Sequence, residues 1–255
     1  MKHDFELIKH KFGRGMSEMN IYPIGDLHVG STECNLAMWL KWKEIVLADP
    51  NGYVVIVGDM LDNTLKNSKG NCYDNAMSPR QAKEFLLEEL RPLKDRILGV
   101  VQGNHCYRST MLTGDCPLYD IMCKLDLEDL YRENMAFIKV NLGQRKKDRQ
   151  CSYVFTLAHG GSRNKVSNFG YSIDGTDVFV TGHTHSPECD FPAKIVVDSH
   201  NEVVRIAEFT HVTVPSYQML GGYALKGLYT PKSNTKFPVI KLSGEKKDVS
   251  VLWRN

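Results

Sequence analysis

The sequence predicts an α/β domain in which two sheets pack face to face with helices outside, and three observations carry that prediction. Short apolar runs rich in β-branched residues alternate with longer runs at helical spacing through the first part of the chain. The second part is dominated by β-type runs, and no repeat, low-complexity tract or linker separates the two. At 255 residues the chain sits near the upper limit of one core, so residues 1–17 are read as a polar N-terminal arm and 18–255 as one domain. A hydrophobic fraction of 42% and a charged fraction of 24% exclude a disordered or fibrous chain. The formal net charge of +2 is too balanced for a whole-surface field, so any site for a polyanion must be local.

The elements follow in order. A strand is expected near Met19–Ile24, a helix from about Thr32 to Ala48 and a strand at Tyr53–Val57, which together make a β-α-β opening. Ser78 before Pro79 is an N-cap with proline at the first helical position, and Phe85, Leu86, Leu90 and Leu93 recur at helical spacing behind it. A strand at Ile97–Val101 closes the second unit. One or two short helices are expected between Leu118 and Tyr131, then strands at Ala136–Asn141 and Ser152–Ala158, joined by a charged hairpin tip at Gly143–Arg149. Further β-type runs lie at Val178–Thr181, Ile195–Asp198, Val203–Phe209, His211–Val214, Val239–Leu242 and Val249–Trp253.

No apolar stretch approaches the ~20 residues of a membrane-spanning helix. The N-terminal segment has no apolar block of the kind a secretory signal carries, so the expected compartment is the cytosol and no membrane partner is expected. The seven cysteines are scattered and never form a C-x-x-C pair, and they read as free thiols.

Five polar motifs fall at the ends of expected strands: Gly25-Asp26-Leu27-His28, Gly58-Asp59-Met60-Leu61-Asp62, Gly103-Asn104-His105, Ala158-His159-Gly160 and Gly182-His183-Thr184-His185. Strand ends are where an α/β sheet presents side chains to a crevice. A lone histidine there is more often a hydrogen-bonded core residue than a ligand, but an ordered set of carboxylates, an amide and imidazoles is not. Oxygen and imidazole donors without thiolates suit Mn²⁺, Fe or Zn²⁺ in a catalytic site.

These blocks resemble the D-x-H, G-D-x-x-D, G-N-H-[D/E], H and G-H-x-H signature of the calcineurin-like metallophosphoesterases, in the same order. The resemblance implies a four-layer α/β/β/α sandwich and hydrolysis of a phosphate ester by metal-activated water. It implies two divalent ions, Mn²⁺ first, with Fe, Zn²⁺ or Ni²⁺ as alternatives. One would be held by Asp26, His28, Asp59 and His185, and the second by Asp59, Asn104, His159 and His183. His105 would be the catalytic histidine, assisting the leaving group as an imidazolium. Asp62 is expected behind the ligands, as the outer partner that fixes a histidine tautomer.

The departures from the signature shape the substrate expectation. Cys106 replaces the usual acidic residue after the G-N-H block, which removes a carboxylate that could orient His105. Its bland reading is a small buried thiol. Asp62-Asn63-Thr64 lacks the Arg-Gly with which the Ser/Thr phosphatases of this superfamily continue, so a phosphodiester ranks above a phosphoprotein as substrate. Arg108, Arg163 and Lys165 are candidate phosphate contacts, with surface positions as the alternative. The hairpin residues Arg145, Lys146, Lys147 and Arg149 read first as a solvated loop and second as a phosphate track. Thr64–Met77 lacks periodicity and is expected as a loop over the site, and Tyr73 and Tyr107 could stack on a base. The leading expectation is therefore a phosphodiesterase acting on DNA, RNA or a nucleotide. The alternatives are a phosphomonoesterase of the same fold and a metal-binding interaction scaffold without catalysis. The presence of all seven inferred ligands and His105 argues against the scaffold.

Overall fold

The computed structural model describes the chain except residues 1–3, 67, 69–71, 146–148 and 233–234, and describes the backbone alone at 163–165, 167 and 223. In chain order the elements are β1 (Leu7–Lys11), β2 (Glu18–Ile24), α1 (Leu36–Ala48), β3 (Gly52–Val57), α2 (Pro79–Leu90), β4 (Ile97–Val101), α3 (Asn104–Thr113), α4 (Pro117–Lys124), β5 (Tyr131–Arg132), β6 (Met135–Leu142) and β7 (Cys151–Ala158). They continue with α5 (Arg163–Gly170), β8 (Val178–Thr181), β9 (Glu188–Asp190), β10 (Ala193–Asp198), β11 (Val203–Glu208), β12 (Thr210–Thr213), α6 (Gly222–Lys226), β13 (Phe237–Ser243) and β14 (Val249–Arg254).

Two mixed six-stranded sheets result, with β10 and β11 forming a separate two-stranded sheet. The first runs β14-β13-β2-β3-β4-β5, and the second runs β1-β6-β7-β8-β12-β9. In the first sheet β2, β3, β4 and β5 are parallel, with β13 and β14 adding antiparallel pairs at one edge. Parallel strands must be connected over the sheet face. The helices that make these crossovers, α1 and α2 with α4 beside them, bury Trp39, Trp42, Val46, Leu86, Leu90 and Ile121 against Tyr22, Ile24, Val54, Ile56 and Val100. The opposite face of the first sheet presents Met19, Ile21, Val55, Val57 and Val101 to Ile138, Val140, Phe155, Leu157, Val180 and Val212 of the second. On the outer face of the second sheet, Val166 of α5 covers Phe179 and Phe209. The result is the helix, sheet, sheet, helix order expected of the fold.

Local chemistry explains the element ends. At α2 the Ser78 side chain accepts from the Gln81 N–H and the Gln81 side chain accepts from the Ser78 N–H, a capping box with Pro79 at the first helical position. Within the segment read as an arm, Leu7–Lys11 pairs in parallel with β6 and places Ile8 in the core, so that part of the arm is an edge strand of the second sheet. Only one of its five side chains is fully buried, which left no alternation to read in the sequence. The helix α3 was likewise illegible: only Cys106 and Ser109 are buried, and Tyr107, Met111 and Leu112 face outward. All seven cysteines are free. Among the described residues no helix is long and apolar enough to cross a membrane.

Candidate metal centre

The parallel strands β2, β3, β4 and β8 deliver the motif loops to one edge of the sandwich. Asp26 and His28 follow β2, Asp59 and Asp62 follow β3, and Asn104 and His105 open α3 after β4. His159 follows β7, and His183 and His185 follow β8. The loops are held in an unusual conformation. Among the described residues, six of the nine non-glycine positions with positive φ are Asp26, His28, Asp59, Asn63, His183 and His185. Left-handed backbone of this kind persists only where the surroundings enforce it, and it gathers at functional sites. A close backbone approach is enforced too. A Cβ on Gly103 would overlap Asp59, and one on Gly58, at φ +86°, would come within 2.7 Å of both Gly103 and His159 Nδ1.

The side chains form two adjoining trios, each with its donor atoms within 4.8 Å of one another: Asp26, His28 and His185, and Asp59, His159 and His183. In the first, His185 Nε2 lies 3.4 Å from Asp26 Oδ1 and 3.4 Å from His28 Nε2. In the second, His159 Nε2 lies 3.1 Å from Asp59 Oδ2, and Asn104 Oδ1 lies 2.9 Å from both His159 Nε2 and His183 Nδ1. A third trio, His28, Asp59 and His105, links the two. The sequence-derived set of Asp26, His28, Asp59, Asn104, His159, His183 and His185 is therefore brought together, with His105 against it. His183 is exposed and His185 half-buried, so the cluster opens on that side.

The tautomers follow from the outer partners. His159 Nδ1 donates to the Val57 carbonyl at 2.7 Å, so Nε2 is the nitrogen turned toward Asp59 and Asn104, where it offers an electron pair once its proton is lost. His28 Nδ1 lies 3.6 Å from Asp62 Oδ1 without a hydrogen bond, and its Nε2 is turned toward Asp26 and His185. Asp62 also receives the Thr64 hydroxyl and sits 3.7 Å from His105 Nδ1, behind two imidazoles at once. Thr64, the Val57 carbonyl and Asn63, which supports the helix start by donating to the His105 carbonyl and to Ser109 Oγ at 2.8 Å, carry no motif signal and were not foreseen.

The electrostatics bear on whether a cation fits. Burial works against ionising Asp59, yet the charges of His159, His105 and His28 hold its carboxyl below the usual range. Burial likewise pushes His159 down, and Asp59 outweighs it, raising the imidazole to about 9. Asp26 is fully buried and its Oδ1 has no hydrogen-bond partner. An orphaned buried carboxylate oxygen and a ring of inward-turned imidazole nitrogens are costly unless a cation satisfies them. The donor set of carboxylates, imidazoles and one amide oxygen fits divalent ions of the Mn²⁺, Fe or Zn²⁺ kind, which displace the protons the imidazoles hold.

His105 differs from its expected charge state. Burial, then the neighbouring charge of His28 and that of Arg108, push it down to about 4, so the ring is neutral in the metal-free site rather than an imidazolium. The carboxylate lost at Cys106 is not missed geometrically, because Cys106 is fully buried in the core under α3 and the Asp62 backbone carbonyl orients His105 instead. Arg108 stands three residues after His105 on α3, on the same helix face, with Nη1 3.3 Å from Ser68 Oγ.

The loop expected at Thr64–Met77 begins beside the site at Thr64 and ends where Ala76 N–H and Met77 N–H donate to the Gly30 carbonyl just beyond His28. Residues 67 and 69–71 within it lie outside the described residues. Tyr73 is 80% exposed and Tyr107 51% exposed. The side chains of Arg163 and Lys165 lie outside the described residues, as do Lys146 and Lys147. The hairpin carrying Arg145 and Arg149 is the far end of the β6–β7 pair, where Leu142 faces Cys151. His159 follows the other end, roughly 23 Å away at the rise of an extended strand. The hairpin therefore does not belong to the mouth of the site.

Fold and site together define a metal-dependent phosphoester hydrolase. The chain belongs to the calcineurin-like phosphoesterases, whose family model matches residues 19–187. Among solved structures it is similar to Vps29 from Entamoeba histolytica complexed with Zn²⁺, at 15% identity over 92% of this chain and 98% of that one, with a TM-score of 0.42. It is also similar to a metallophosphoesterase from Sphaerobacter thermophilus, at 14% identity over 93% of this chain and 89% of that one, with a TM-score of 0.43. No curated protein matches it.

Proposed function

We propose that the protein is a dinuclear metal-dependent phosphodiesterase acting on nucleic acid or a nucleotide. Asp26, His28, Asp59 and His185 hold one ion, and Asp59, Asn104, His159 and His183 hold the other, with Mn²⁺ as the preferred metal. Bound there, divalent cations supply Lewis acidity toward water and the phosphoryl oxygens. The two carboxylates among otherwise neutral ligands leave the pocket net positive, which suits an anionic ester.

The observation that carries the preference for a diester is the position of Asn63. It occupies the place where the Ser/Thr phosphatases of the superfamily have an arginine, and its amide is committed to the His105 carbonyl and Ser109 Oγ inside the protein. No cationic side chain from that position is left to clamp a terminal phosphate dianion. Arg108, one turn along α3 from His105, supplies a single guanidinium instead, enough for the one negative charge of a diester. His105 presents Nε2 to the donor cluster, takes up a proton from solvent as the anionic ester approaches, and passes it to the leaving oxygen.

The test compares bis-p-nitrophenyl phosphate with p-nitrophenyl phosphate, then single- and double-stranded DNA, RNA and a nucleotide panel, all with Mn²⁺-loaded protein. Faster turnover of the diester, and cleavage of at least one nucleotide or polynucleotide diester, are expected. Turnover of monoesters alone would overturn the reading.

A further inference from the structure

The edge hairpin of the second sheet runs on beyond it as a separate ribbon. β9 and β12 pair from Glu188↔Thr213 to Asp190↔His211, the Phe209 N–H donates to the Pro192 carbonyl, and β10 and β11 pair from Ala193↔Glu208 to Asp198↔Val203 in the same register. The hairpin is thus one ladder whose base belongs to the sheet and whose outer part is a two-stranded sheet of its own. At the rise of an extended strand that outer part is roughly 20 Å long. Among the described residues β10 and β11 pair only with each other, so β10 keeps an open edge.

One face of the ribbon is aliphatic and wet. Directly opposed residues of an antiparallel pair point to the same face, so Ile195 with Ile206 and Val197 with Val204 form two adjoining cross-strand pairs. All four side chains are between 68% and 75% exposed. A two-stranded ribbon is marginal by itself in water, and an open strand edge is a template for a further strand.

The open edge of β10 is complementary to itself. Set a second copy of β10 antiparallel to the first, with the two-fold axis through Val196. Lys194 then faces the second copy's Asp198, Asp198 faces its Lys194, and Ile195 faces its Val197. Each of these opposed residues lies an even number of positions from its counterpart, as a shared face requires. With the axis at Ile195 or Val197 instead, Val196 would oppose Lys194 or Asp198 and the charges would go unmatched. β11 has no such register: an axis through Arg205 opposes two guanidiniums, and an axis at Val204 or Ile206 sets Arg205 against Val203 or Ala207.

We infer that β10 is a dimerisation strand: two copies of this chain join edge to edge into a four-stranded sheet in the order β11-β10-β10-β11, with a Lys194–Asp198 ion pair at each end of the seam. The pairing is isologous and closes on itself, so it yields a dimer and not a filament. It also sets Ile195 and Val197 beside aliphatic side chains of the second copy along an edge now open to water. The charged ends are free to pair. Lys194 Nζ binds Asp174, whose side chain is 91% exposed, and exchanging one such surface pair for another costs little. Asp198 accepts from the His200 and Asn201 N–H groups and from Asn201 Nδ2, and a carboxylate has lone pairs beyond those three. Nothing in this contact depends on the reaction at the metal centre.

Sedimentation velocity of the full chain at rising concentration is expected to show a monomer–dimer equilibrium with a dissociation constant of about 1–100 µM, the range of a small interface. Lys194→Asp sets two carboxylates against each other at both ends of the seam, and Asp198→Lys sets two ammonium groups there. Each single variant should weaken dimerisation by at least about tenfold, the cost of opposed like charges. An equimolar mixture of the two variants should regain the wild-type constant, because each end of the seam then holds one charge of either sign. Loss of the turn bonds of Asp198 would not be repaired by mixing. Val196→Cys brings a thiol against its own copy on the axis. Oxidation by diamide, which takes one hydrogen from each thiol as the S–S bond forms, should link its dimers well beyond the background of the seven native cysteines. Arg205→Cys, on the outer strand, should stay at that background. A wild-type chain still monomeric at about 200 µM, or a dimer whose constant neither charge variant changes, would overturn the strand pairing. So would a mixture of the charge variants that stays monomeric, or Val196→Cys linking no faster than Arg205→Cys.

Discussion

The Nδ1–H of His105 is donated to the backbone carbonyl of Asp62, so the open nitrogen of the ring is Nε2, 3.7 Å from Asp59 Oδ2. One imidazole is thereby aimed into the donor cluster by a main-chain group, and no side-chain carboxylate is needed behind it. This arrangement separates the job of His105 from that of the inferred ligands, and the separation can be measured.

Replacing His105 with Gln removes the group that takes and returns a proton but leaves the seven inferred ligands in place. The expected outcome is a fall in kcat of about 10²–10⁴ with metal content unchanged, since positioned acid–base groups contribute on that scale. Steady-state kinetics beside elemental analysis of the same preparation makes the check. Loss of metal in step with activity would show that His105 is itself a ligand.

Asp59→Asn has the opposite signature. Asp59 belongs to two of the three donor trios, and its carboxylate supplies one of the charges that offset the cations. Metal content should drop below half of the wild-type value, with activity lost alongside it, as read by elemental analysis after purification without chelator.

Protons and metal compete for the same nitrogen. In the metal-free protein the folded-state pKa of His159 is about 9, above the ~6.5 of an unfolded chain. Its contribution to stability is thus fully present below the unfolded value and is lost as pH rises through the folded one. The denaturation midpoint of the metal-free protein should fall between pH 7 and pH 9.5, and Mn²⁺ should bind more tightly as pH rises over the same interval. Binding at pH 7 should release at least one proton, visible as a dependence of the calorimetric heat on the ionisation enthalpy of the buffer.

The backbone approach is testable without touching a ligand. A methyl group on Gly103 has no room beside Asp59. Gly103→Ala should cost about 1–3 kcal/mol in urea denaturation, the usual penalty of an overpacked contact, and should lower metal content by displacing Asp59. Gly161→Ala, where nothing lies within 4 Å of the added carbon, should leave metal content unaltered.

Much of the scaffold was readable from pattern. The strand at Ile97–Val101, the Ser78-Pro79 helix start and the strand at Val178–Thr181 are set by local periodicity and capping chemistry, and they stand where expected. Strand β1 and helix α3 escaped because neither carries an amphipathic pattern. β1 is held by pairing with β6 at a separation of more than a hundred residues, and α3 is preceded by Gly103, whose lack of a side chain leaves no side-chain cap. The hairpin carrying Arg145 and Arg149, read first as a solvated loop, lies at the end of the β6–β7 pair away from His159, and only the pairing of the strands shows which end that is.

What the sequence determined by itself is the donor inventory and its order: which residues can bind a cation is a property of residue type, and the glycine beside each block announces a tight turn. Tertiary structure alone decided which donors face one another, as when Asp26 Oδ2 accepts from the His183 N–H across 157 positions of chain. It also decided the neutral state of His105, which follows first from burial, and which nitrogen of His159 faces the donors, which follows from a carbonyl 102 residues away. Proton affinity is set by surroundings, and surroundings exist only once the chain has folded.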